Sequence, residues 1–141
     1  MRWLALDIGS HRVGVAVCDT DEQLASPLRA IPYSGPDRLA EAVAELASTW
    51  DVEGVVVGVP HTRAGNSRGE VRVSSAVAAL ERRLEVPVET VDESGTTAAA
   101  ESLLVEAGTP RRRWPELVDG LAARLILEAH LASRRFQARG R

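Results

Sequence analysis

The sequence predicts an α/β protein built on a mixed sheet, three antiparallel strands followed by parallel β/α units, with helices on both faces. Three observations predict it. Two short apolar stretches near the N-terminus, Trp3 to Ile8 and Arg12 to Cys18, are separated only by Gly9-Ser-His11, a spacing that suits a hairpin. Gly54-Val-Val-Val-Gly-Val59 is a continuous apolar run of strand length, as expected of a strand covered on both faces. Around it, apolar residues recur at helical spacing, so that strands alternate with helices.

The elements follow in order. Trp3-Leu-Ala-Leu-Asp-Ile8 reads as the first strand and Arg12-Val-Gly-Val-Ala-Val-Cys18 as the second, with Gly9 supplying the backbone angles of the turn. A third extended segment, Leu24 to Tyr33, completes a meander. Ser34-Gly-Pro-Asp37 starts a helix whose apolar face is Leu39, Ala42, Val43, Leu46, Ala47 and Trp50. After the central apolar strand, Pro60 to Gly69 is Gly-rich and polar, a loop by composition. The second helix turns Val73, Ala76, Val77, Leu80 and Leu84 inward. Pro87-Val-Glu-Thr-Val91 is a short strand ending at Asp92-Glu93. Thr96-Thr97 opens a helix to Ala107, with capping accounting for at least one threonine, and Gly108-Thr-Pro110 stops it. The last helix runs from about Pro115 to Arg135, with Val118, Leu121, Ala122, Leu125, Ala129 and Leu131 or Ala132 apolar. Residues 136–141 read as a basic tail open to disorder. No internal repeat or interior linker is evident, so residues 1–141 read as one domain. The order βββαβαβαα is the ribonuclease-H-like layout.

At 141 residues, 45% hydrophobic and 26% charged, the chain has the balance of a soluble globular protein able to bury an ordinary core. It shows no charged-then-apolar leader and no apolar run approaching ~18 residues, so neither export nor a membrane partner is expected. Cys18 is the only cysteine, which excludes an intramolecular disulfide and fits a reducing, cytoplasmic location. The net charge of −3 hides an asymmetry: residues 111–141 carry eight Arg against three acids, +5, leaving −8 for the first 110. A basic C-terminal third suits an anionic polymer, although a solvated helix face has the same composition. All seventeen basic residues are Arg, a choice that base composition of the genome also explains.

The chemistry-bearing residues are acids at the ends of elements: Asp7 ending the first strand, Asp92-Glu93 ending the last, and Asp119 opening the final helix at its positive dipole end. Ligands gather at the carboxyl ends of strands in open α/β sheets. A cluster of hard oxygen donors without His or Cys suits Mg²⁺ or Mn²⁺. Two such ions held ~3.5–4 Å apart can clamp the attacking and leaving oxygens of an in-line displacement at phosphorus. Asp7 is the expected bridge, with Glu93 and Asp119 completing the site. Asp92 is the reserve, because neighbours on a strand face opposite ways. Each acid also has a plainer reading: a hairpin hydrogen bond for Asp7, a polar strand exit for Asp92-Glu93, a dipole-favoured helix start for Asp119. Arg63, Arg68, Arg111, Arg112, Arg113, Thr96 and Thr97 are candidate phosphate contacts, or a surface loop, a solvated connector and helix caps. His11, His61 and His130 have no ligand-like spacing, and Trp3, Trp50 and Trp114 read as core or interface.

At this point the residues resemble a known family. Asp7-Ile-Gly-Ser-His-Arg-Val-Gly-Val-Ala-Val-Cys-Asp19 is similar to the opening signature of the YqgF/RuvX family. Val56-Val-Gly-Val-Pro60 with Gly65, Val91-Asp-Glu-Ser-Gly-Thr-Thr97 and Val118-Asp-Gly-Leu-Ala-Ala123 match its later motifs in order and spacing. The resemblance covers essentially the whole chain. It implies a ribonuclease-H-fold nuclease, assigned to maturation of the 5′ end of pre-16S rRNA and also described as Holliday-junction-resolvase-like. It implies Asp7, Glu93 and Asp119 as the acidic positions. One departure stands out: Ser94-Gly95 occupy the place where the family usually has Arg-Leu, which removes a cation that Arg12 or Arg63 can supply and loosens the helix start.

The leading expectation is therefore a metal-dependent endonuclease acting on structured nucleic acid, pre-ribosomal RNA first and branched DNA second. A homodimer fits two-fold symmetric junctions. A sugar-kinase-like ATPase shares the Asp-x-Gly hairpin but needs two such domains, and a non-catalytic nucleic-acid or ribosome-binding module keeps the fold without the chemistry.

Overall fold

Residues 1–60, 68–93 and 95–140 are described by the structure, a computed structural model. The first three strands, β1 (Trp3–Ile8), β2 (Arg12–Cys18) and β3 (Ala25–Pro32), form the expected meander. They are followed by α1 (Pro36–Thr49), β4 (Gly54–Val59), α2 (Arg68–Arg83), β5 (Val88–Asp92), α3 (Thr96–Glu106), a 3-10 turn over Arg111–Arg113 and α4 (Trp114–Arg139). The sheet order is β3-β2-β1-β4-β5. β2 is antiparallel to both β1 and β3, whereas β4 is parallel to both β1 and β5. This is the predicted mixed sheet. Between Val13 and Val15 the register with β3 slips by one residue, the mark of a bulge at the sheet edge.

Side-chain alternation divides the strands between two cores. Leu4, Leu6, Ile8, Val13, Val15, Val17, Val55 and Val57 face α1 and α2, where Leu39, Val43, Val73, Ala76 and Leu80 are buried. Trp3, Ala5, Ala16, Cys18 and Val56 face α4 and pack on Ala123, Ile126, Leu127 and Leu131. Asp7 shares the parity of Trp3 and Ala5, so its side chain belongs to the α4 face. Small residues at positions 5 and 16 let that helix lie close to the sheet.

Two helix faces differ from expectation. Trp50 lies past the end of α1 as its C-cap and is 37% exposed, so it does not complete the inward stripe. On α4 the buried stripe is Ala122, Ala123, Ile126, Leu127, His130 and Leu131, while Ala129 and Ala132 are exposed. This helix is apolar over two neighbouring faces, so periodicity alone selects the wrong one by about one position. α4 also continues through Phe136–Arg139, where the sequence suggested a tail. Arg134 holds this end by donating to both Glu22 carboxylate oxygens at 2.7 and 3.1 Å while stacking on Trp3. No helix among the described residues is long and apolar enough to cross a membrane.

Candidate active site

Two glycines on the strands flanking β1 make room for the acids around Asp7. Asp7 pairs across the antiparallel ladder with Gly14 of β2. A Cβ at Gly14 would lie 2.6 Å from the carbonyl carbon of Asp119 and closer still to its oxygen, so α4 touches the sheet backbone there. On the other side, β4 pairs with β1 up to Leu6↔Val57, which leaves Gly58 one step further, beside Asp7. A Cβ at Gly58 would meet Glu93 Oε2 at 2.8 Å and Ile126 Cδ1 at 2.5 Å. The missing side chain at position 58 thus lets Glu93 reach over β4 toward Asp7. Glu93 is held at the end of β5 by its own N–H, which donates to Val59 O at 3.1 Å.

The Asp7 and Glu93 carboxyl groups come within hydrogen-bonding reach of each other, where a proton between them relieves their repulsion. Burial is the main reason that the Asp7 carboxyl is pushed above its usual range; the bond to Glu93 lowers it and the charge of Asp119 raises it. Glu93 is pushed up to about 8, first by burial, then by its hydrogen bond with Asp7 and the charge of Asp7; a bond to the Thr96 side chain acts in the opposite direction. The proton belongs to the pair rather than to either residue. Glu93 Oε2 is buried with no hydrogen-bond partner among the described residues. Asp92, one step along the strand, falls on the other side by alternation.

Asp119 is treated differently. Arg12 Nε lies 2.9 Å from Asp119 Oδ2, but that oxygen is buried and accepts no directed hydrogen bond among the described residues. The contact is one of charge rather than of hydrogen-bond geometry. Because α4 begins at Trp114, Asp119 lies in its second turn and not at its opening. The dipole argument therefore lapses, since that field fades within the first turn. Close packing on Gly14 places the residue instead. Among the described residues, no three acidic, His or Cys side chains already form a metal-binding group.

The remaining candidates scatter. Thr96 bonds to Glu93 and so orients that carboxylate. Neither threonine caps α3, whose N-cap is Gly95 in the left-handed region at φ +81° with no side-chain cap. Gly95 thus adopts a conformation that most side chains resist, which accounts for a glycine at this position. Thr97 is exposed, as is Arg68 at the start of α2. Arg63 and Ser94 lie outside the described residues. Arg111, Arg112 and Arg113 are exposed just before α4, and Arg111 stacks on Trp114 at 4.3 Å, with Trp114 Nε1 donating to Thr109 O. Sequence reasoning missed Gly14 and Gly58; their only signal was glycine inside otherwise apolar strands, which marks close backbone approach.

The sheet order, the helix across β1 and the acids at the strand ends define a ribonuclease-H-like fold. Thermus thermophilus RuvC in complex with a Holliday junction substrate shares it, with a TM-score of 0.62 at 20% identity over 96% of each chain. Fowlpox virus resolvase in complex with Holliday junction DNA gives 0.57 at 9% identity, covering 94% of this chain and 98% of that one. Residues 1–133 match the RuvX family, described as Holliday junction resolvase. A Desulforudis audaxviator protein named "Putative pre-16S rRNA nuclease" is 42% identical over 137 residues, 96% of each chain. The chain belongs to the RuvX family of nucleases, hydrolases acting on phosphodiester bonds.

Proposed function

We propose that this nuclease trims the 5′ end of pre-16S rRNA in the cytoplasm, using Asp7, Glu93 and Asp119 as divalent-cation ligands. The observation that carries the reading is the convergence of two half-buried carboxylates, Asp7 and Glu93, from different strands across Gly58, with Asp119 close enough to raise Asp7. Like charges are gathered this closely where a cation is to be bound. The donor set fits Mg²⁺ or Mn²⁺, because all three ligands are hard oxygens and the buried Glu93 Oε2 lacks a partner. Bound there, such ions supply the positive charge that activates water and stabilises the departing alkoxide. The chain's own residues do the rest. Thr96 orients Glu93, Gly14 and Gly58 let the carboxylates meet, and Arg12, Arg68 and Arg111–Arg113 offer cations to the substrate backbone. The substrate assignment follows the naming of the relative from Desulforudis audaxviator.

A four-way DNA junction is the second reading, favoured by the fold shared with two junction-bound resolvases. It carries with it a homodimer matched to the two-fold symmetry of the junction. Both readings are tested by incubating a pre-16S 5′-leader RNA and a four-way junction with the protein in Mg²⁺, Mn²⁺ or chelator. Metal-dependent cutting that disappears in Asp7→Asn is expected, and the substrate cut faster decides between them. Binding without cutting in every metal would leave a nucleic-acid or ribosome-binding module.

A further inference from the structure

We propose that Arg12 is a built-in counter-ion for Asp119, released to a substrate phosphate when a divalent cation takes that carboxylate, so that cation and nucleic acid load together. The inference rests on the reading of Asp7, Glu93 and Asp119 as cation ligands. It starts from how the described residues balance three neighbouring carboxylates. Asp7 and Glu93 lie against each other, and Asp119 is faced by the guanidinium of Arg12, 2.9 Å from its Oδ2.

The geometry separates what can move from what cannot. The backbone of Arg12 is fixed: its carbonyl accepts the Gly9 N–H at 2.9 Å, and the residue pairs with Pro32. The backbone of Asp119 is fixed by its approach to Gly14. Only the side chains are free to part, and that of Arg12 is 51% exposed. Separation costs little, because the 2.9 Å contact contains no hydrogen bond directed at Oδ2. A partly exposed pair of this kind contributes about 1 kcal/mol at most, roughly a fivefold effect on a competing equilibrium.

Chemistry supplies the exchange. A guanidinium and a divalent cation cannot occupy the same carboxylate oxygen, so Arg12 competes with cation loading at Asp119. Once released, Arg12 presents a planar fork of donors that matches a phosphate bidentately. A phosphate near the hairpin draws Arg12 away and frees Asp119, and a cation on Asp119 frees Arg12 for phosphate. Linkage requires each ligand to strengthen the other by the same factor.

The test titrates Mn²⁺ alone into wild type, Arg12→Gln and Arg29→Gln by calorimetry. Arg29→Gln removes the same charge from exposed β3, beside α1 on the other side of the sheet. Asp7→Asn shows whether the Mn²⁺ heat comes from this site. Expected are Mn²⁺ binding about fivefold tighter in Arg12→Gln, wild-type affinity in Arg29→Gln, and loss of binding in Asp7→Asn. In Ca²⁺, used as a probe cation, Arg12→Gln should bind leader RNA or junction DNA about tenfold more weakly. Arg12→Lys, which keeps the charge without the fork, should retain wild-type Mn²⁺ affinity and lose part of the nucleic-acid affinity; it also serves if Arg12→Gln does not fold. Unchanged or weaker Mn²⁺ binding in Arg12→Gln, with Asp7→Asn still abolishing the heat, would overturn the exchange and leave the cation site standing. Heat that Asp7→Asn does not alter would overturn the cation site itself.

Discussion

Replacing Glu93 with Gln should flatten the pH dependence of stability in the cation-free protein. Glu93 has an ordinary value of 4.5 and is raised to about 8 in the fold, so between these limits the folded state binds more protons than the unfolded one. Stability must then fall as pH rises through that window. The shift corresponds to a formal ceiling of about 5 kcal/mol at 1.36 kcal/mol per unit. Solvent screening at a partly exposed carboxylate brings this down to about 2 kcal/mol. His130 contributes with the opposite sign: burial, its main influence, lowers it below 6.5, so its deprotonation in the fold adds stability as pH rises toward that value. Asp19 and Glu22 are both lowered, chiefly by hydrogen bonds, and act only in acid. Asp7 is raised as well and acts with the same sign, so above pH 6.5 the loss read is that of the Asp7–Glu93 pair, of which about 1 kcal/mol remains. Urea unfolding in chelator from pH 4.5 to 8.5 measures it. Wild type should lose that stability between pH 6.5 and 8.5, Glu93→Gln should lose less than half of it, and added Mg²⁺ should cancel the wild-type loss. An equal loss in Glu93→Gln would refute the shared-proton account of the site.

Gly14→Ala should push α4 off the sheet at Asp119, costing about 3 kcal/mol and abolishing metal-dependent cleavage while circular dichroism still reports the helices. Wild-type stability and activity in that variant would disprove the close approach as the device that places Asp119. Glu22→Ala removes the acceptor of Arg134 and the partner of the Met1 ammonium, at the far end of α4 from Asp119. It should lower Tm by about 2–4 °C for a loss of about 1 kcal/mol, with cleavage unchanged. A variant that melts normally would show the end of α4 to be held by packing alone.

The fold was legible because its strands are either continuous apolar runs or hairpin-linked, and because Asp7, Glu93 and Asp119 stand out against them. What resisted reading were choices that depend on neighbours in space. Ala129 and Ala123 have equal claim to an apolar helix face until a sheet is laid against it, and α4 takes the second. Trp50 fits the inward period of α1 but falls one residue past its end. The expected threonine cap gave way to Gly95, because the chain enters α3 through a left-handed angle that composition does not announce. The largest omission was Gly14 and Gly58. Each looked like an interruption in a valine run, and only strand register shows that both flank Asp7.

That register also explains how an acid is tolerated on a strand whose neighbours are buried. Glycine flanks Asp7 on both adjoining strands, so no side chain of those strands packs beside it. The space admits two further carboxylates, and their repulsion must be met before any cation arrives. The chain meets it in two chemically different ways: a proton between Asp7 and Glu93, and a guanidinium on Asp119. The two halves of the site therefore answer to different signals. Proton release governs the Asp7–Glu93 half, so cation affinity should rise with pH even without nucleic acid. Phosphate governs the Asp119 half through Arg12, at any pH. A change in pH and a change in substrate concentration should thus act on cation loading independently, and Arg12→Gln should remove the second response while leaving the first intact.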